Sequence, residues 1–254
     1  MHPKSSNTEV ASGLIYRRAF GFDADSLINT QPWGLLDANT APAFERLRKR
    51  AAVSGFDLRI ASGFRSYQRQ WHLFNGKARC LRPVTDEHGN VLQREHFTDE
   101  QWLHAILRFS ALPGTSRHHW GTDLDVYDGA AVAADYQLAL APAEYAPDGP
   151  FGPFTEWLSE RIAADDAEGF FRPYGRDVGG VAPELWHISY RPSTQHLRAA
   201  LTPELLAELW RGQMPGALRQ SDNSKGIDEM LGPLALLDTV LAQSPALLAR
   251  YVVA

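Results

Sequence analysis

Two short segments, far apart in the chain, restrict what it can fold into. The first is Ser116-Arg-His118-His-Trp-Gly121-Thr-Asp-Leu-Asp125 and the second is Glu184-Leu-Trp-His187. Together they offer His118, Asp125 and His187 as ligands for one divalent ion. A fold that uses them must bring both segments to one point. Three protein ligands with a fourth position left open is the arrangement of a catalytic zinc rather than a structural one. Glu184, three residues before His187, is then a candidate general base for a metal-bound water. That pattern points to a hydrolase with one Zn2+ per chain.

The spacing also says what carries these side chains. His118 and Asp125 flank Gly121 and cannot share a turn of one helix, so a turn leading into a strand is expected. In a strand from Thr122 to Tyr127, residues 123, 125 and 127 share a face. Asp125 then points at the ion with Asp123 beside it. His187 opens a second strand, Trp186 to Tyr190, ended by Pro192. Glu184 sits in or just after the turn at Pro183.

Other segments read as follows. Residues 1–36 look irregular, with a turn at Pro32 to Gly34. A helix follows Asn39 and Thr40 and stops near Gly55. Leu58 to Ser62 reads as a short strand. Ser66 caps a further helix, and Asp86 to Asn90 makes a hairpin turn between Val84 and Val91. Thr98 and Gln101 form a capping box for a helix over 98–110. The Pro- and Gly-rich stretch 142–153 is a loop, followed by a helix over 155–164. Helices then run over about 194–201, 203–211, 227–243 and 245–253, with 212–226 as a linker. The whole reads as an α+β domain over 1–200 with a C-terminal helical extension over 201–254. Leu231, Leu234, Leu237, Leu241 and Leu248 are expected to pack that extension on the domain.

Composition excludes several partners. The 254 residues carry a formal charge of -5, so neither nucleic acid nor an anionic membrane is indicated. No run of 18 apolar residues suggests a membrane span. The single cysteine, Cys80, rules out an internal disulfide and a cysteine-ligated zinc, and reads as a small structural residue. The N-terminus as written is no signal peptide, which leaves a cytoplasmic protein or one whose leader has been removed. Oligomeric state is not legible.

A third segment, Ser62-Gly-Phe-Arg65-Ser66-Tyr67-Gln-Arg-Gln70, completes a resemblance. Ser-Gly-x-Arg-Ser-x-x-x-Gln, then Ser-x-His-x-x-Gly-x-x-x-Asp, then Glu-x-Trp-His resembles the LAS-type zinc peptidases, which include the VanY-like D-alanyl-D-alanine carboxypeptidases. The resemblance covers about residues 40–192. It implies a small antiparallel sheet flanked by helices, with His118, Asp125 and His187 on zinc and Glu184 as catalytic base. Arg65 and Ser116 would hold the substrate's terminal carboxylate or its scissile carbonyl, with Gln70 in support, and Arg65 would also be catalytic by helping to stabilise the oxyanion of the tetrahedral intermediate. The implied activity is removal of C-terminal D-alanine from peptidoglycan stem peptides or muropeptides. The implied pocket is narrowed by Phe64, Tyr67 or Trp120. L,D-carboxypeptidase, endopeptidase and non-catalytic zinc-binding module are the alternatives.

The sequence departs from the family in two places. Asp123 stands where a small residue is usual, and His119-Trp120 is bulkier than the norm. Asp123 is open to three roles: it orients a ligand histidine, meets a substrate amine, or faces solvent. His119 is not expected to be a ligand, while Trp120 and Trp186 are each either pocket wall or core.

Overall fold

The computed structural model describes residues 13–219 and 231–252. At its centre is a four-stranded antiparallel sheet in the order β3-β4-β6-β5. Its strands are β3 (Leu58–Ser62), β4 (Asp123–Asp128), β5 (Phe170–Phe171) and β6 (His187–Tyr190). The α+β class and the small antiparallel sheet are as expected. The region before residue 36 is not irregular throughout: β1 (Ile28–Thr30) pairs with β2 (Gly34–Leu36) in a hairpin. Gly34 supplies the positive φ of its turn, and Thr30 Oγ1 donates to the Gly34 carbonyl.

Side-chain alternation on β4 and β6 divides the molecule. Leu124, Val126 and Ile188 face a core with Phe44 and Leu47 of α1 (Thr40–Val53) and Phe154 and Leu158 of α4 (Gly152–Ala163). The opposite face carries Asp123, Asp125, His187 and Ser189, all buried. Register places Asp125 directly across from His187, and Asp123 across from Ser189.

A second core forms between α2 (Tyr67–Ala78), α3 (Asp99–Leu107) and the C-terminal helices. Ser66 caps α2 by accepting from the Arg69 N–H, and Thr98 with Gln101 makes the expected capping box on α3. After α5 (Gln195–Ala199), Leu206, Leu209 and Trp210 of α6 (Pro203–Trp210) are buried against Phe74, Trp102 and Ile106. Val240, Leu247 and Tyr251 of α7 (Leu237–Tyr251) join the same core.

The C-terminal boundaries differ from expectation. One helix runs through Pro245 instead of two meeting there. An interior proline costs a helix about 3 kcal/mol. Val240, Ser244, Leu247 and Tyr251 make one buried stripe on both sides of it, and that burial holds the helix together. Residues 231–236 are not helical, and 227–230 lie outside the described residues. Of the expected linker, 212–219 packs on the body: Leu218 is buried and its carbonyl accepts from Arg17. Cys80 is exposed, not a small core residue; it takes a positive φ just beyond α2. Among the described residues no helix is long and apolar enough to cross a membrane.

Candidate metal centre and its cavity

His118 lies in a short 3-10 turn, Arg117–Trp120, that ends at Gly121 in the left-handed region. A Cβ at Gly121 would sit 2.7 Å from Leu27 and 3.1 Å from the Asp37 nitrogen, so both the turn and its close packing require glycine. The chain passes straight from this turn into β4, which carries Asp125. His187 comes from the neighbouring strand. Ligand atoms of His118, Asp125 and His187 lie within 4.8 Å of one another, close enough to hold one ion.

The hydrogen bonds show which nitrogen each histidine offers. His118 Nδ1 is 2.8 Å from the Gly63 carbonyl, which leaves Nε2 facing Asp125 at 3.3 Å. His187 is held the other way round. Its Nε2 is 2.9 Å from Asp123 and its Nδ1 is 3.1 Å from Asp125. Each ring therefore has one nitrogen tied back into the protein and one turned to the common point, the arrangement of a metal-ligating histidine.

Asp123 lies behind His187 Nε2, the placement that the first of its three expected roles requires. It does not face solvent: it is fully buried. Besides His187, it accepts from Arg117 Nε at 2.7 Å, Thr122 Oγ1 at 2.8 Å and Ser189 Oγ at 3.0 Å. Arg117 also donates to Ser189 and lies over the Trp120 ring at 4.8 Å. Burial works against ionising Asp123, but Arg117 and His187 outweigh it and hold the carboxyl down to about 2. For His187, burial opposes the charged ring, yet Asp123 and Asp125 push it up to about 9. Burial likewise works against ionised Asp125, and the two histidines keep its carboxyl well below the usual range.

Glu184 is not among the clustered ligands. Its Oε2 lies 3.6 Å from His187 Nδ1, beside the common point, and burial pushes its carboxyl up to about 7. The Glu184 carbonyl accepts from the His187 N–H and its own N–H donates to the Tyr174 carbonyl. Both bonds fix the turn that aims the carboxylate.

Arg65 enters from the loop between β3 and α2. Its backbone N–H donates to the His118 carbonyl, which ties the two motifs together. Its guanidinium donates to Gln70 Oε1 at 3.0 Å and Ser62 Oγ at 3.2 Å. Gln70 is in turn fixed by donating to the Ala111 carbonyl at 2.7 Å. Among the described residues no carboxylate pairs with Arg65, and burial lowers its pKa. His119 braces the same loop: Nδ1 donates to the Arg65 carbonyl at 2.6 Å, and Nε2 accepts from Gly114 N–H at 3.1 Å. Burial drives His119 down to about 3, so this brace is a neutral ring.

Arg65, Ser116, His118, Asp125, Glu184 and His187 open on one cavity of about 410 Å³, which other residues also line. The walls differ from expectation. Phe64, Tyr67 and Trp120 do not line it. Tyr67 stacks on Phe22 and donates to the Leu209 carbonyl, and Trp120 donates to the Ala19 carbonyl, so both serve the core. Trp186 is a wall, as are Phe109, Leu140, Tyr174 and Tyr251. Lys77 also reaches the cavity, and neither it nor Tyr174 belongs to any motif read from the sequence.

The family model for VanY, D-alanyl-D-alanine carboxypeptidase, matches residues 34–193. The chain belongs to the VanY family. The VanY match spans all three motifs. Two proteins of Haemophilus influenzae, both described as uncharacterized, are similar in sequence. One is 34% identical over 104 residues, 40% of this chain and 77% of that protein. The other is 40% identical over 77 residues, 30% of this chain and 53% of that protein, so the chain matches about half its length. Solved structures resemble the fold at low identity. A D,D-pentapeptidase VanY mutant from a VanB-type vancomycin-resistance cassette, in complex with Zn(II), is 21% identical. It covers 70% of this chain and 85% of that one, with a TM-score of 0.48. VanYB with D-alanine-D-alanine is 20% identical over 76% of this chain and 86% of that one, also with a TM-score of 0.48. The LD-carboxypeptidase LdcB is 19% identical over 68% and 67%, with a TM-score of 0.43.

Proposed function

We propose that this chain is a zinc-dependent carboxypeptidase that removes C-terminal D-alanine from peptidoglycan stem peptides or muropeptides. In this reading 1–200 is the catalytic body and 201–254 the helical extension. The observation that carries it is the juxtaposition of an Asp-His-His cluster with a half-buried arginine that makes no ion pair among the described residues. A guanidinium held by neutral acceptors on the wall of a cavity is placed to receive an anion. A free peptide C-terminus is such an anion, one bond away from the amide to be cut.

His118 Nε2, Asp125 and His187 Nδ1 fit a zinc ion in donor type, and both imidazoles are braced from behind. When bound, the ion supplies Lewis acidity to the scissile carbonyl and to the attacking water. The protein's own groups do the rest. Arg65 presents a planar fork to the terminal carboxylate, and Gln70 and Ser62 hold that fork in place. Ser116 lines the same cavity and can donate to the carboxylate or the carbonyl. Glu184 takes a proton from the attacking water and passes it to the departing amine.

Mass spectrometry of products from pentapeptide and tetrapeptide stems, with zinc-loaded protein, tests the reaction. Loss of one D-alanine from the pentapeptide is expected. Loss from the tetrapeptide instead would establish L,D-cleavage, and internal cuts an endopeptidase. Arg65→Ala should raise KM about 10- to 100-fold for peptides with a free C-terminus, the range for one charge-assisted contact. Amidated peptides should be affected much less; an equal effect on both would remove Arg65 from carboxylate binding.

The charge state of His187 yields a second expectation. With carboxylates at both nitrogens and a pKa of about 9, the ring of the metal-free protein carries two protons at pH 7. The proton on Nδ1 occupies the place of the metal bond. Binding zinc at pH 7 should therefore release about one proton, read as the buffer dependence of the calorimetric heat. Apparent affinity should climb about tenfold per pH unit up to about pH 9. A heat independent of buffer would overturn this.

A further inference from the structure

Lys77 follows Gln70 by seven residues, so both project from the same face of α2. Both reach the segment that forms one cavity wall. Gln70 Nε2 donates to the Ala111 carbonyl at 2.7 Å, and Lys77 Nζ to the Phe109 carbonyl at 3.4 Å. Among the described residues that long contact is the ammonium's only hydrogen bond, of the three that it can donate. Among the described residues no carboxylate lies within ion-pair distance of it.

The carboxylates that do line the cavity have other partners. Asp125 lies between the two histidines, and Glu184 is the base of the reading above. Asp86 accepts from His88 N–H, Asn90 N–H and Asn90 Nδ2 of its own turn. The cavity thus holds two cations, Arg65 and Lys77, that make no ion pair among the described residues, with Glu184 acting on both from farther away. Burial lowers the pKa of both and outweighs the pull of Glu184 on each, and of Asp125 on Arg65. The contacts run from Arg65 to Gln70, to Ala111, to Phe109 and so to Lys77. An amide side chain and a stretch of backbone therefore space the two cations, and the residues that anchor them on α2, Gln70 and Lys77, are about 10 Å apart along the helix.

We propose that Lys77 binds a second carboxylate of the substrate, separate from the one at Arg65, so that the protein selects peptides with an acidic group upstream of the cleaved bond. This deepens the carboxypeptidase reading and rests on it. The departing D-alanine has no side-chain acid, so with its carboxylate on Arg65 the second anion must come from the retained part of the peptide.

The test uses acetylated peptides ending in D-Ala-D-Ala, with glutamate or glutamine placed in turn at each of the two residues before that pair. The zinc-loaded protein should favour glutamate at one of these positions by about tenfold in kcat/KM, the size of one charge-assisted contact. Lys77→Met and Lys77→Gln should bring that ratio to about one, while Lys77→Arg should keep most of it. No preference at either position in the parent protein would overturn the proposal. So would an unchanged ratio in the two neutral variants, which is what a merely structural lysine would give. Calorimetric binding of the same peptides to Glu184→Gln protein separates this inference from the reaction. If the zinc-loaded parent protein cuts none of these peptides but glutamate peptides still bind Glu184→Gln protein about tenfold tighter through Lys77, the peptidase reading fails and this one stands.

Discussion

Glu184→Gln is expected to lower turnover by about 10²–10⁴-fold, the usual contribution of general acid–base catalysis, with zinc content unchanged. The two halves of that result have separate causes. Zinc should stay because Glu184 is outside the ligand cluster, with its carboxylate beside the common point and not part of it. Turnover should fall because an amide keeps the shape but cannot take a proton. Near-normal activity would sink the base assignment, and lost zinc would make Glu184 a ligand. The carboxyl at about 7 has a further consequence in the metal-free protein. Its folded pKa lies above the reference of 4.5, so the folded state binds more protons than the unfolded one between those values. Stability from this group is complete below pH 4.5 and lost as pH rises through 7, on the order of 3 kcal/mol for such a shift. Metal-free Glu184→Gln should therefore melt above the parent at pH 8 and no higher at pH 4. Equal melting at both would show that burial does not burden this carboxylate.

What was legible in the sequence was local. Caps at Ser66 and Thr98, the strand Leu58–Ser62 and the glycine turn before β4 each depend on a few neighbouring residues, and they lie where the pattern puts them. The three motifs also converge as expected, because each is a short rigid piece whose spacing already implies its geometry. Tertiary packing was harder to read. Pro245 breaks a helix by local rules, and only the buried stripe on both sides explains why it does not here. Tyr67 and Trp120 stand inside or beside motifs, so they read as pocket, but their rings turn into a core completed by Leu209 and Ala19. Tyr251, at the end of α7, also lines the cavity, and no motif read from the sequence includes it. Lys77 had one available signal: it lies two helical turns from Gln70, on the face that the motif already assigned to the site. Asp123 could not be settled from β4 alone, because its role depends on Ser189 and His187 from a strand paired across the sheet.

The two aspartates of β4 should fail in different ways when neutralised. Asp125→Ala removes a ligand, so stoichiometric zinc should be lost. It leaves Arg117 and His187 Nε2 paired with Asp123, so the metal-free fold should be little disturbed. Asp123→Asn keeps all three ligands but cannot accept from four donors with one amide oxygen. Arg117, whose side chain is 8% exposed, then carries a buried charge without its partner. Breaking a buried pair from one side costs about 3–5 kcal/mol, a large part of the stability of an ordinary domain. The same change releases His187 from behind, which should weaken zinc binding about 10- to 100-fold. Elemental analysis and melting in chelator read the two effects separately. The double variant Arg117→Met, Asp123→Asn decides between them. Removing the stranded charge should restore most of the lost stability, because the pair interacts directly. It should not restore zinc affinity, since nothing returns a carboxylate to His187 Nε2. If both recover together, Asp123 acts on the metal site only by holding the fold. If neither recovers, the orienting bond to His187 is the whole of its role.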